Sequence, residues 1–156
     1  MMLSKEMLLL LNLAATWYMV GLIWFVQLVH YPLFLHVGEA KFAEYERLHT
    51  SWTSWAVGPA MLLEVATAAA LVFLIPRGCS PWWMLVGLIV LLAVWGVTAV
   101  CSVPMHARLE KGYDEAAIRW LVATNWLRTL GWTIRGILMA AMLWQCLNSR
   151  PEISLP

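Results

Sequence analysis

The chain has 156 residues, of which 62% are hydrophobic and 12% are charged, and its formal net charge at pH 7 is +1. A composition this apolar excludes an ordinary soluble protein, and the length favours one compact domain covering residues 1–156. The small net charge gives no reason to expect nucleic acid as a partner. The three cysteines are widely spaced, so they indicate neither a disulfide framework nor a metal-binding knuckle.

Four long hydrophobic blocks dominate the sequence, at residues 7–29, 55–75, 82–103 and 130–147. Each block is long enough to cross the hydrocarbon core of a bilayer as a helix that rises about 1.5 Å per residue. The predicted fold class is therefore all-α integral membrane, a four-transmembrane-helix bundle. We expect a multi-pass protein of a bacterial inner membrane, with the lipid bilayer as its first partner.

The first block carries a polar stripe. Asn12, Thr16, Gln27 and His30 project within about 60° of one another when each residue advances about 100° along a helix. If the spans alternate in direction, the end of this block shares one leaflet with the start of the second, the end of the third and the start of the fourth. All four histidines fall in or beside that leaflet. The pattern therefore predicts a polar pocket on one side of the membrane.

The two long connections, at residues 31–54 and 104–129, are amphipathic at helical spacing. Their apolar-face residues recur every three or four positions, namely Phe42, Tyr45, Leu48, His49 and Trp52 in the first and Ile118, Leu121 and Leu127 in the second. We predict two amphipathic interfacial helices that cap the bundle on the histidine side. Asp114 is the predicted N-cap of the second, and this helix could continue into the fourth span.

Two ionisable residues lie deep inside the hydrophobic blocks, Glu64 in the second and Arg135 in the fourth. A charge at the centre of a span costs at least about 2.5 kcal/mol on insertion scales, so both side chains should face the bundle interior. One hypothesis is that they pair only with each other. Asn125, Arg128 and Trp132 lie within about 80° of Arg135 on the same helix, and this excess of polar groups favours a functional pocket.

The first interpretation of the pocket is a metal or haem site. His30, His49 and His106 are the candidate metal ligands, and Glu64 is the candidate carboxylate ligand or supporting partner. Gln27, His30 and Trp132 are the candidate cofactor-binding residues. Mixed nitrogen and oxygen ligands suit iron, copper or zinc, and haem, iron and copper are the cofactors that we consider.

The second interpretation is an oxidoreductase or oxygenase that needs no cofactor. His30 or Glu64 would act as the general base, while Asn125, Arg128 and Arg135 would stabilise a phenolate or enolate that then meets oxygen or a quinone. The candidate catalytic residues are Glu64, Asn125, Arg128 and Arg135. The substrate class in either case is a hydrophobic small molecule, aromatic or quinone-like.

The third interpretation is a non-enzymatic membrane subunit or scaffold of a larger complex. The same pocket would then hold a lipid headgroup, a quinone or a partner helix, with Arg128 and Lys111 as contacts for an anion. A homo-oligomer and a membrane-complex partner are both compatible with this pattern.

Two short motifs carry a family resemblance. The segment VPMHARL at residues 103–109, followed by NWLRT at 125–129 and by Arg135, resembles the small four-span membrane family that includes anthrone oxygenases. The resemblance implies a four-helix membrane bundle, oxygenation of an aromatic polyketide in characterised members, and matching positions at Asn125 and Arg128. The chain departs from the family pattern by placing His106 where an asparagine is more usual. The region around Trp24, His30 and Pro32 also resembles short bacterial haem-containing protoporphyrinogen oxidases.

Overall fold

The computed structural model describes residues 4–149. This part of the chain forms four long helices, which we name α1 (Lys5–His36), α2 (Glu39–Phe73), α3 (Pro81–Leu109) and α4 (Glu115–Asn148). The described range holds no strand, and each helix is long and apolar enough to cross a membrane. The all-helical bundle predicted from the four hydrophobic blocks is therefore confirmed.

Two of the helices contain a widened π-helical turn just before a proline. In α1 the turn spans Val26–His30 and precedes Pro32, and in α3 it spans Thr98–Ser102 and precedes Pro104. A proline has no N–H to donate, and in an α-helix its ring collides with the carbonyl four residues earlier. The wider turn removes this conflict locally. Both helices therefore continue past the proline.

Separate interfacial helices are not evident in the described range. The first amphipathic stretch forms the N-terminal part of α2, and the second forms the N-terminal part of α4. Residues 39–57 and 115–130 contain neither glycine nor proline, so no helix breaker divides either amphipathic stretch from the start of the hydrophobic block that follows. The predicted apolar faces are also only partly buried, since Phe42, Ile118 and Leu121 are enclosed while Leu48, Trp52 and Leu127 point outward.

The four helices pack as a ring in chain order. Helix α1 lies against α2 and α4, and α3 lies against α2 and α4. One buried cluster at the end nearest the start of α1 includes Leu9, Leu71 and Met139, and a larger one includes Ile23 and Phe34 nearer the other end of the bundle. The outer surface is also apolar, with large hydrophobic side chains exposed on all four helices. This outward apolar face is the pattern expected of helices in contact with lipid.

Asp114 caps the N-terminus of α4, as predicted. Its Oδ1 accepts a hydrogen bond of 2.9 Å from the Ala117 N–H, and its Oδ2 lies 2.5 Å from Arg108 Nη2. The hydrogen bond from Ala117, together with the Arg108 guanidinium, holds the pKa of Asp114 below its ordinary value. Because the pKa of Asp114 is lower in the folded state, the ionised carboxylate stabilises the fold fully above the ordinary pKa. This stabilisation is lost as the pH falls through the lowered pKa.

We expect Asp114→Ala to lower the melting temperature of the protein in detergent, because it removes both the cap and the partner of Arg108. Asp114→Asn keeps a capping oxygen and should lower it less. Intrinsic tryptophan fluorescence during heating, recorded at pH 7 and at pH 3, measures both effects. The difference between wild type and Asp114→Asn should shrink at the lower pH, and equal melting temperatures for all three proteins at pH 7 would contradict the assignment.

Candidate metal centre and cavity

Three side chains from two helices meet inside the histidine end of the bundle. Glu46 and His49 come from α2, one helical turn apart, and His106 comes from α3 just beyond Pro104. The atoms that these residues can offer to a metal ion all lie within 4.8 Å of one another. Glu46 is 0% exposed and His49 is 8% exposed, so the cluster is shielded from bulk solvent. Two imidazoles and one carboxylate form a donor set that suits iron, zinc or copper.

His106 links the carboxylate to a phenol. Its Nδ1 lies 2.5 Å from Glu46 Oε1, and its Nε2 lies 3.0 Å from the Tyr31 hydroxyl. An ionised carboxylate only accepts hydrogen bonds, so Nδ1 carries the proton and Tyr31 donates to Nε2 when the imidazole is neutral. A metal ion bound between Glu46 and His106 would replace the proton that they share. The Nε2–H would then donate to Tyr31, and such an outer partner orients a ligand imidazole.

The second carboxylate oxygen of Glu46 is an unsatisfied acceptor. Glu46 Oε2 is buried and has no hydrogen-bond partner among residues 4–149. A buried polar atom left unpaired costs about 1–3 kcal/mol, and more when it is charged. Native proteins keep few such atoms without a compensating ion, water or ligand. A cation at this position would satisfy Oε2, so the orphan oxygen independently supports a metal site.

Three neighbouring side chains position the His49 ring. Its Nδ1 lies 2.8 Å from His30 Nε2 and 3.0 Å from Thr53 Oγ1, and the ring of Phe34 packs edge-on against both imidazoles. His49 Nε2 makes no hydrogen bond within the part of the chain that the structure describes. The three predicted metal histidines are thus brought together, with His30 adjoining the cluster through His49. His36 is exposed and lies apart from it.

A cavity of about 310 Å³ lies beside the cluster. Tyr31, His49, His106 and Arg128 contribute polar atoms to its wall. Hydroxyl residues and Glu110 also line it, and the apolar part of the wall includes Met19, Leu22, Ile23, Val26 and Val57. A pocket with an apolar wall and a few convergent polar groups is the usual form of a small-molecule site.

A polar network supports the cavity from the α4 side. Asn125 Nδ2 donates to Gln27 Oε1 at 2.9 Å, and Arg128 Nη1 donates to Asn125 Oδ1 at 3.1 Å and to Ser102 Oγ at 3.2 Å. The Arg128 guanidinium also lies over the Trp132 ring, 5.4 Å from its centroid. The predicted residues Gln27, Asn125, Arg128 and Trp132 therefore converge, and of these four Arg128 lines the cavity.

Glu64 and Arg135 form the predicted pair in a second network, which shares Trp132 with the first. Glu64 Oε1 accepts from Arg135 Nε at 2.8 Å and from Thr16 Oγ1 at 2.7 Å, while Oε2 accepts from Trp132 Nε1 at 3.0 Å. Arg135 also donates to Asn12 Oδ1 at 2.9 Å and to the Gly87 carbonyl at 2.5 Å. Both charged side chains are 0% exposed. These hydrogen bonds explain structurally how the two buried charges are stabilised.

The carboxylate partner of the histidines is Glu46, whereas the sequence pattern favours Glu64. Within residues 4–149, Glu64 forms no hydrogen bond with a histidine. The signal for Glu46 lies in its spacing, since it follows Phe42 by four residues and precedes His49 by three, which places all three on one helical face. Glu-x-x-His at this spacing is also a ligand motif of metal-binding helical bundles. Whether Glu64 and Arg135 take part in catalysis stays a prediction.

No protein-family model matches this chain, and comparison with characterised proteins and with solved structures finds no significant similarity. The resemblance to the family that includes anthrone oxygenases therefore stays a prediction.

Proposed function

We propose that this protein is a multi-pass membrane oxidoreductase that uses a transition metal held by Glu46, His49 and His106. Its substrate is a hydrophobic hydroxylated aromatic or quinol-like molecule, which binds in the adjacent cavity. The observation that carries the proposal is the buried, unpartnered Glu46 Oε2 beside two imidazoles at a cavity wall. Two histidines and one carboxylate are also the ligand set of non-haem iron oxygenases, which makes iron the first metal to test.

The apolar outer surface supports the proposed location in a membrane. Trp55 on α2, Phe73 on α2 and Val100 on α3 are each at least 74% exposed, which would be costly in water for so many large side chains. A bilayer is the solvent that fits this surface, and a bacterial inner membrane is the proposed compartment. The cavity, which Leu22 and Val103 help to line, would then take its substrate from the lipid phase.

The proposed reaction removes two electrons and two protons from a hydroquinone and transfers them to oxygen, giving a quinone and hydrogen peroxide. A bound iron or copper ion would supply the path for the electrons. Tyr31 lines the cavity, and its hydroxyl would accept a hydrogen bond from a substrate hydroxyl. The phenol, the imidazole of His106 and the carboxylate of Glu46 form a continuous hydrogen-bonded chain along which a proton can move.

The test starts from protein purified through a tag without histidines and reconstituted in lipid nanodiscs. After incubation with Fe²⁺, Cu²⁺ or Zn²⁺ and removal of excess metal, we expect about one ion per chain by mass spectrometry. The visible spectrum of the protein as isolated tests for haem. Oxygen consumption with a short-chain hydroquinone should require bound iron or copper and not zinc, which has no redox change to offer, and it should fall in His49→Ala and His106→Ala.

Two outcomes would contradict the proposed function. A protein that retains none of these ions and has no haem absorption would favour a non-enzymatic membrane subunit instead. Metal binding without metal-dependent oxidation of any hydroquinone would leave a metal site but would remove the oxidoreductase assignment.

A further inference from the structure

Arg128 is a buried cation on the wall of the cavity. It is 7% exposed, and its Nη1 hydrogen-bonds only to neutral groups, the Ser102 hydroxyl and the Asn125 amide oxygen. Its Nε is buried and has no hydrogen-bond partner in residues 4–149, and no carboxylate in that range lies within ion-pair distance of it. A buried charge without a counter-charge is costly, and proteins retain one where a ligand supplies the missing partner.

One acidic residue, Glu110, lines the same cavity, and Glu46 lies beside the two histidines of its wall. Glu46 contacts His106, and Glu110 Oε1 accepts a hydrogen bond of 2.9 Å from Thr50 Oγ1. Neither forms an ion pair with Arg128. The face of Trp132 compensates part of the charge, but a ring face provides less than a full counter-ion does. The wall therefore lacks one negative charge at Arg128.

We propose that the cavity binds a hydrophobic molecule whose head is an ionised oxygen, a phenolate or a carboxylate, and that Arg128 holds this head. The apolar body would lie against Met19, Ile23, Val26 and Val57. Guanidinium groups suit this role because they bind anionic oxygens through two parallel hydrogen bonds. The inference rests on the same cavity as the proposed function and names its substrate class, but it does not require the metal.

The experiment uses 4-nitrophenol as the probe, because its phenolate absorbs visible light and its phenol does not. Metal-free protein in nanodiscs of phosphatidylcholine is titrated with pH in the presence of the probe, and empty nanodiscs provide the blank. Wild-type protein should lower the pH at which half of the probe is ionised. Arg128→Gln should weaken phenolate binding by about 30-fold or more, the usual effect of truncating a buried charged partner.

Three controls isolate the charge at Arg128. Arg128→Lys keeps a cation and should retain a smaller effect in the same direction. Arg119→Gln removes the same charge from an exposed position on the same helix and should behave as wild type. The uncharged analogue 4-nitroanisole should bind wild-type protein more weakly than the phenolate does. In Arg128→Gln the analogue and the phenolate should bind with equal affinity.

A measurement on wild-type protein alone covers the case in which Arg128→Gln does not fold. Phenylglyoxal modifies arginines, and bound 4-nitrophenolate should protect Arg128 but leave Arg119 reactive, as read by peptide mass spectrometry. Equal protection of both arginines, or equal affinity for 4-nitroanisole, would overturn the proposal. Displacement of the probe by inorganic phosphate would assign the site to small free anions instead. Phenolate binding to protein that takes no metal would remove the proposed oxidation and leave this inference intact.

Discussion

Replacing Glu46 with glutamine is expected to abolish metal binding while leaving the helical bundle folded. The amide keeps the size of the side chain but removes its negative charge and one of its two acceptor oxygens. Loss of an outer partner typically lowers metal affinity by about 10- to 100-fold, and loss of a direct ligand should exceed this. The change should also replace a buried, unpaired and charged oxygen with a neutral amide nitrogen, so thermal stability in the absence of metal should fall little or rise.

The measurement is competition for Fe²⁺ or Zn²⁺ between the protein and a coloured chelator, with wild type, Glu46→Gln and a matched control. Glu44→Gln is the control, because Glu44 lies on the same helix two residues away and its exposed carboxylate pairs with the exposed Lys41 at 3.3 Å. The control should bind metal as wild type does. Full metal affinity in Glu46→Gln together with its loss in His49→Ala would show that the carboxylate is not a ligand, and the donor set would have to be revised.

The helices could be predicted from the sequence because each hydrophobic block is long enough to cross a bilayer as a helix and to show the helical spacing of its polar residues. The π-helical turns before Pro32 and Pro104 could not, because they depend on how each helix reconciles a proline with the packing of its neighbours. The continuity of α2 from Glu39 to Phe73 was not predicted either. The change from polar to apolar composition near Trp55 marks a change in the environment of one helix and not the end of that helix.

Part of the candidate site was also predictable, because the spacing of polar residues in a span places them on one face of the helix. The stripe that joins Asn12 and Thr16 reaches Glu64, as expected of polar residues that share one face in a span. Glu46 was overlooked because it lies in a charged stretch, where a carboxylate ordinarily faces water. Only the approach of His106 from another helix shows that this carboxylate is enclosed, and one sequence does not contain that distance.

Replacing Arg135 with methionine is expected to be the most destabilising of the substitutions considered. It leaves the Glu64 carboxylate buried without its counter-charge and removes the donor to Asn12 and Gly87. Breaking a buried ion pair by removing one partner costs about 3–5 kcal/mol, most of it from the charge left behind. Reversible unfolding in mixed micelles of mild detergent and dodecyl sulfate measures this free energy, and Arg119→Met serves as the exposed control.

A double-mutant cycle of Glu64→Gln, Arg135→Met and the double variant measures how strongly the two buried charges are coupled. Because the double variant leaves no buried charge at this position, it should be more stable than Arg135→Met alone, with a coupling free energy of about 1–3 kcal/mol. Thr16 and Trp132 would still hydrogen-bond the glutamine, which limits the remaining loss. Negligible coupling would mean that the two charges are stabilised independently by their neutral partners. Glu64 would then be available for the catalytic role that the sequence suggests, and its contribution to oxidation would have to be tested directly with Glu64→Gln.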